Sequence, residues 1–283
     1  MAGKFRIGTL LIFYLLLFFH GMSSNAKPIA DQASTISFSG MRWEIETAFS
    51  APVNPGQNYF SARKDSVWVD EQGWLHLKIH NHLALPKWTC AAIHSVESAK
   101  YGLHRFQVIG RLGALDKNVV LGLFLYQSTP TNKGTLPAEI DFEFSTWGLP
   151  KYLNDEWINA CSNAQTVLWP SQWDESSVQP ADIQYYFIHS PEIIQTTHEI
   201  CWEENAIGFQ SFWYHDTPPR DENLIFSYST EQKRNPSAYF PIVEDEMKIH
   251  INLWLNNDTL LPSDGQAEEI LVKYEFIPLT ESD

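Results

Sequence analysis

The dominant hydrophobic period along this chain is two. In Trp74-Leu75-His76-Leu77-Lys78-Ile79-His80, the apolar Leu75, Leu77 and Ile79 alternate with polar neighbours, which is the pattern of a half-buried strand. Val119–Tyr126 is apolar at nearly every position, as expected of a central strand covered on both faces. Glu139–Phe144 alternates acid with apolar residue, and residues 247–254 and 270–276 read as further strands. Turn signals at 52–56, 70–73, 129–134, 148–150, 218–219 and 263–265 separate these runs. No long stretch carries a capped helical stripe. Many strands, few helices and no internal repeat or linker predict an all-β fold, with two antiparallel sheets packed in a single sandwich.

The first 26 residues differ from the rest. Lys4 and Arg6 precede an apolar run over residues 7–19, shorter than the ~20 residues of a membrane span. Ser24-Asn25-Ala26 supplies small residues at cleavage spacing, so residues 1–26 read as a secretory signal peptide cut after Ala26. An uncleaved N-terminal anchor is the alternative. Removing these 26 residues, two of them basic and none acidic, leaves 257 residues with formal charge −17. The expectation is a secreted or periplasmic monomer with no further membrane association. It has a short lead at 27–37 and one domain from 38 to 283.

Composition then narrows the function. The 34 acidic and 19 basic residues give a net charge of −15, which repels phosphate backbones and argues against nucleic-acid binding. Cys90, Cys161 and Cys201 are too few for a disulfide scaffold, and whether two of them pair is a matter of geometry. Eleven Trp exceed what a core of this size needs, and they suggest sugar-stacking surface as well as core.

The sharpest chemical feature is Glu139-Ile140-Asp141-Phe142-Glu143-Phe144. On a strand, alternate residues share a face, so three carboxyls line one face while Ile140, Phe142 and Phe144 bury the other. Like charges on a sheet face repel. Glycoside hydrolysis gives a reason to tolerate this, because it needs one ionised carboxylate and one kept protonated. The α-carbons of Glu139 and Glu143 lie about 13 Å apart along a strand. Their side chains can lean to a separation of about 5 Å, that of a retaining mechanism. A solvated acidic face and a calcium site are the alternatives.

Glu-Ile-Asp-Phe-Glu-Phe resembles the active-site strand of glycoside hydrolase family 16, the β-jelly-roll enzymes of the concanavalin A-like superfamily. Further segments resemble the family in order: residues 38–43, 67–70, 73–77, 88–91, 101–106, 198–202 and 247–254. The resemblance implies Glu139 as nucleophile, Asp141 as its assistant and Glu143 as general acid/base. One residue separates Asp141 from Glu143, the unbulged pattern of lichenases and xyloglucan transferases, which implies a β-linked glucan. It also implies sugar contacts from Phe124, Tyr126, Trp147, Asn163, Gln165, Asn252 and Trp254, with Trp169 as a second candidate to Trp147. The chain departs from the lichenase pattern at Ala92, Ile93 and His94, where acidic and polar substrate contacts are expected.

No cofactor is required for this chemistry. A structural calcium stays open, with Glu269 as the candidate in place of the family's late Asp. His76, His80 and His82 lack a fourth ligand and read as a solvated face. The sequon Asn257-Asp258-Thr259 matters only in a glycosylating host. The expected function is a retaining endo-glycosidase on a β-linked polysaccharide. A transglycosylase on the same fold and a non-catalytic, lectin-like glycan-binding module are the alternatives.

Overall fold

The computed structural model describes residues 34–81, 87–127, 138–148, 162–169, 182–188, 192–204, 206–230, 247–256 and 261–279. It also describes the backbone of Trp173–Asp174 and Ser177–Val178. The expected signal peptide, Cys161, His82, the turn at 129–134 and the sequon lie outside the described residues.

Fifteen strands build two facing sheets. In chain order they are β1 (Ser34–Phe38), β2 (Met41–Ile45), β3 (Val67–Val69), β4 (Leu75–Asn81), β5 (Ala91–Ser98), β6 (Gly102–Ile109), β7 (Val119–Tyr126), β8 (Glu139–Phe144), β9 (Ala164–Trp169), β10 (Asp182–Tyr186), β11 (Gln195–Trp202), β12 (Ile207–Trp213), β13 (Leu224–Ser229), β14 (Lys248–Leu255) and β15 (Glu268–Pro278). The first sheet runs β1-β2-β5-β14-β7-β8-β9-β10, and the second runs β13-β12-β11-β6-β15-β4-β3 with the short strand Trp88–Thr89 on β4. All these pairings are antiparallel. Short hairpins of Ala48–Val53 with Asn58–Phe60 and of Trp173–Asp174 with Ser177–Val178 complete the described strands. Two short 3-10 turns are the only helical elements among the described residues.

The period-two pattern explains the sandwich. Leu75, Leu77 and Ile79 on β4 and Ile140, Phe142 and Phe144 on β8 are fully buried, as alternation on one face requires. Across the interface, Phe142 meets Phe209 of β12 edge to face at 5.2 Å, and the His198 ring of β11 packs on Phe144 at 4.6 Å. His198 is accommodated without charge: its nitrogens bond Ser211 Oγ and Thr196 Oγ1 at 2.9 Å, and burial pushes its pKa down to about 3.

Some expectations need correction. Residues 34–37, expected in the lead, belong to β1, which pairs along its length with β2. Buried Phe38, packed 5.5 Å from Trp43, anchors that hairpin. Val119–Tyr126 is central, but only one of its faces is wholly core. Gly122, Phe124 and Tyr126 on the other face border a cavity.

Candidate active site

The backing of Ile140, Phe142 and Phe144 against the core fixes which way β8 faces. Glu139, Asp141 and Glu143 therefore point away from the sandwich interior into a cavity of about 350 Å³. The cavity lies across the first sheet, and antiparallel register arranges its lining residues and their cross-strand neighbours in rows. One row runs Ala92, Asn252, Gly122, Glu143, Gln165; the next runs His94, His250, Phe124, Asp141; a third runs Lys248, Tyr126, Glu139, Trp169. Each acid thus has a defined cross-strand neighbour, a non-local fact set by pairing and not by the local sequence.

Gly122 opens the floor beside Glu143. A Cβ there would sit 2.4 Å from Asn252 Oδ1 and 3.3 Å from the Phe124 ring. The absent side chain makes way for the Asn252 amide oxygen beside Glu143, and this buried Oδ1 has no hydrogen-bond partner among the described residues.

The three carboxyls are electrostatically graded. Burial raises all three above the ordinary carboxyl range. Asp141, only 5 % exposed, is raised furthest, by burial and then by the charges of Glu139 and Glu143 on either side. Both effects favour its protonated form, and its hydrogen bond with Glu139 partly offsets the burial of Glu139. Burial pushes Glu143 up to about 7, with the Glu139 charge adding to it. Gln165 Nε2 opposes this shift by donating to Glu143 Oε2 at 2.6 Å. The arrangement can hold a carboxylate at Glu139 while a carboxylic acid persists at Glu143 near neutral pH.

The cavity has four carboxyl side chains in its lining, from Glu46 and the triad, and no Lys or Arg among the described residues. Lys248 stands in the row of Glu139, yet its Nζ bonds the carbonyl oxygens of Ser95 and Val96, at 3.3 and 2.6 Å. Among the described residues no cation lines the cavity with the triad.

Of the residues expected around it, Phe124, Tyr126, Asn252 and Trp254 line the cavity, and Gln165 reaches it through Glu143. Asn163 is a correction. Its amide bonds the backbone of Ile188 in both directions, at 2.8 and 3.2 Å, and the side chain is buried. Trp147 adopts a left-handed turn, with φ of 53°, and packs edge-on against Trp254 at 6.1 Å, behind the lining. Trp169, not Trp147, stands beside an acid in register, opposite Glu139. Among the described tryptophans, Trp43 and Trp202 are fully buried, and Trp254 is the sole one in the cavity lining.

His94 and His250 also line the cavity. They were missed as site residues because 156 positions separate them in the chain. Elsewhere, both oxygens of Glu269 are engaged, by His76 at 2.8 Å and Lys78 at 3.1 Å, which removes its motive as a calcium ligand. Among the described residues no cluster of three His, Cys, Asp or Glu is arranged to hold a metal ion. Cys90 and Cys201 are not bridged to one another.

Comparison with known proteins agrees with this architecture. No protein-family model and no curated protein matches the chain by sequence. Solved structures match it at fold level. The β-glucanase of Bacillus licheniformis superposes with a TM-score of 0.55 at 17% identity, covering 87% of this chain and 95% of that one. A family 16 enzyme from a mixed-linkage-glucan locus of Bacteroides ovatus, solved with an oligosaccharide product, superposes at 0.54 and 16% identity, covering 83% and 94%. An immunostimulatory antigen and pseudo β-1,3-glucanase of Mycobacterium tuberculosis superposes at 0.55 and 12% identity, covering 84% and 91%. The chain has the β-sandwich fold of the family 16 glycoside hydrolases.

Proposed function

We propose that this protein is an exported, retaining endo-glycosidase that cleaves a neutral β-linked polysaccharide, a β-glucan. The observation that carries the proposal is the graded carboxyl row on β8. Three acids share one face with no cation between them, and their protonation is divided as two-step glycoside hydrolysis requires. In the first step Glu139 attacks the anomeric carbon and forms a glycosyl ester. The glycosidic C–O bond breaks, and the departing oxygen takes the proton of Glu143. In the second step Glu143, now a carboxylate, accepts a proton from water as that water attacks the anomeric carbon. The ester bond breaks and Glu139 leaves as a carboxylate. Asp141 hydrogen-bonds Glu139 throughout and limits its charge when it is free. No metal or organic group enters this sequence. The fold neighbours from Bacillus and Bacteroides act on β-glucans, which supports that substrate class.

The pseudo-enzyme among the fold neighbours shows that the fold alone does not decide activity, so the test is chemical. Wild-type protein and Glu139→Gln are incubated with β-glucans, xyloglucan and galactans, and the products are sized. Shortened products from wild type and none from a folded Glu139→Gln support the reading. Lengthened oligosaccharides would replace hydrolysis by transglycosylation. Binding without any bond cleavage would make the protein a glycan-binding module, and near-normal hydrolysis by Glu139→Gln would remove the nucleophile assignment.

A further inference from the structure

A second pocket opens on the opposite side of the sandwich from the carboxyl row. Strand β4 pairs with β15 only from Glu268 to Val272, so among the described residues the rest of that β15 edge has no neighbouring strand. The turn at Ser39 reaches this edge, where its Oγ accepts from the Tyr274 amide at 3.2 Å, and Gly73 borders it. The pocket holds about 730 Å³. Phe106, Val108, Val272 and Tyr274 are core residues, so alternation turns Arg105 and Gln107 of β6 and Lys273 and Glu275 of β15 outward. Register sets Gln107 beside Lys273 and Arg105 beside Glu275, and all four line the pocket. Met41 and Phe276 add apolar surface.

Arg105 is the anchor of this lining. Its side chain is only 6% exposed, and its Nε and Nη1 are held by Glu199 and Glu275 at 2.6 and 2.7 Å. Its Nη2 has no hydrogen-bond partner among the described residues. A buried, fixed guanidinium with one nitrogen unspent is a preorganised donor. Lys273 lies over the Trp74 ring, 4.5 Å from its centroid, and forms no ion pair among the described residues. Gln107 spends only Nε2, on the His215 carbonyl oxygen at 3.4 Å, and its amide oxygen stays available to accept. The charges of Arg105, Lys273, Glu199 and Glu275 cancel. The pocket thus has hydrogen-bonding capacity and no net charge to attract an ion.

We infer that this pocket is a second carbohydrate site, outside the cleft, that binds hydroxyls of a neutral polysaccharide chain through Arg105, Gln107 and Lys273. A guanidinium and an amide are planar groups with adjacent hydrogen-bonding atoms, which match neighbouring hydroxyls on a sugar ring. Phe276 and Met41 offer apolar surface to the C–H groups of that ring. The inference rests on the glycosidase reading for its ligand class alone. The outward faces of two packed sheets point in opposite directions, so a short oligosaccharide held over the carboxyl row does not reach this pocket. A polymer, or a second chain, engages it, and the added contact holds the protein on the polymer by avidity. It touches no reacting atom.

The test compares wild type, Gln107→Ala, Lys273→Met and the double variant by affinity electrophoresis through gels containing a soluble neutral β-glucan, and by turnover of a short neutral oligosaccharide. Lys273→Met keeps an apolar stem over Trp74 and removes only the ammonium, so it reads the site even where Gln107→Ala disturbs the fold. Thermal melts check each protein. Loss of one hydrogen bond predicts that each single variant weakens retention by the polymer roughly 3- to 10-fold. The kcat and KM on the oligosaccharide stay at wild-type values. Equal retention of wild type and the double variant overturns the inference and leaves the glycosidase reading standing. An equal loss on polymer and oligosaccharide also overturns it, because the pocket would then act through the cleft. Retention by polygalacturonate in place of the neutral polymer overturns the neutral ligand class. Retention that the double variant loses, with no glycan cleaved by wild type, supports the pocket while the glycosidase reading falls. If no polymer retains wild type and none is cleaved, both fall together.

Discussion

Two rows of acidic side chains cross this sandwich, one on each sheet, and the protein treats them in opposite ways. On the second sheet Glu199 of β11 and Glu275 of β15 flank Arg105 of β6 in register. Arg105 Nε donates to Glu199 Oε1 at 2.6 Å and its Nη1 to Glu275 Oε2 at 2.7 Å. Burial would lower the arginine pKa, but hydrogen bonds and charge from Glu199 and then Glu275 more than reverse it. On the first sheet Glu139, Asp141 and Glu143 have no cation between them, and all three are pushed toward the protonated form. The same architecture can pair a buried acid, Glu199, with a cation, and it does so on the second sheet. Among the described residues the triad has no such partner, and this is the contrast on which the proposed chemistry rests.

The largest break in this comparison comes from Glu143→Gln. Removing a general acid costs about 10²- to 10⁴-fold in rate, here on substrates with an ordinary sugar leaving group. A glycoside whose leaving group needs no proton retains a normal first step in this variant, which separates loss of acid from loss of fold. In wild type, kcat/KM falls as pH rises through about 7, where Glu143 loses its proton. It also falls as acid protonates Glu139, at a pH above the ordinary glutamate value. These two limbs belong to the coupled row as a whole. A profile flat from pH 5 to 9 on a polysaccharide would contradict the acid role.

Arg105→Met breaks the other row. Glu199 would be left buried without its cation, a loss of about 3–5 kcal/mol, read by urea or thermal unfolding. Pairing the change with Glu199→Met should recover most of that loss, because the uncompensated charge goes with it. No recovery in the double variant would show that Arg105 acts by packing alone and would weaken the contrast between the sheets.

How much of this was legible in the sequence follows from which relations are local. Alternation along one strand placed Ile140, Phe142 and Phe144 in the core and the triad opposite them, because period two is a property of the strand alone. That Phe124 and Tyr126 share a strand face near the acids also followed, but their pairing with Asp141 and Glu139 is a matter of register. The stack of His94 on His250 did not follow, because it depends on β5 lying beside β14. Asn163 misled for the same reason: its spacing from Gln165 suggests a shared face, but it lies before β9 and the backbone of Ile188 claims its amide. The tryptophan count did not say which layer each ring fills: Trp43 and Trp202 fill the core, and Trp254 lines the cavity.

The smallest expected effect sharpens the comparison most, because it has opposite signs for the buried triad carboxyls and the buried histidines. Asp141 and Glu143 have folded pKa values above their unfolded ones, so the folded protein binds more protons between roughly pH 4.5 and 7. Stability therefore falls as pH rises through that window and stays low above it. His104, His198 and His250 are pushed down to about 4, 3 and 3 by burial. They bind fewer protons folded than unfolded below about pH 6.5, and their contribution is lost as pH falls. Glu143→Gln or Asp141→Asn removes a group of the first kind and leaves the histidines in place. Glu143→Gln should match wild type near pH 4 and exceed it above pH 7 by about 1–3 kcal/mol, and Asp141→Asn should shift stability in the same direction. For a domain of this size each kcal/mol is about 2–4 °C in Tm, measurable by a pH series of thermal melts. Arg105→Met should lose stability at every pH in the series. Triad variants that lose stability above pH 7 would show that the carboxyl row holds the sheet together, and the contrast between the two rows would then be structural and not catalytic.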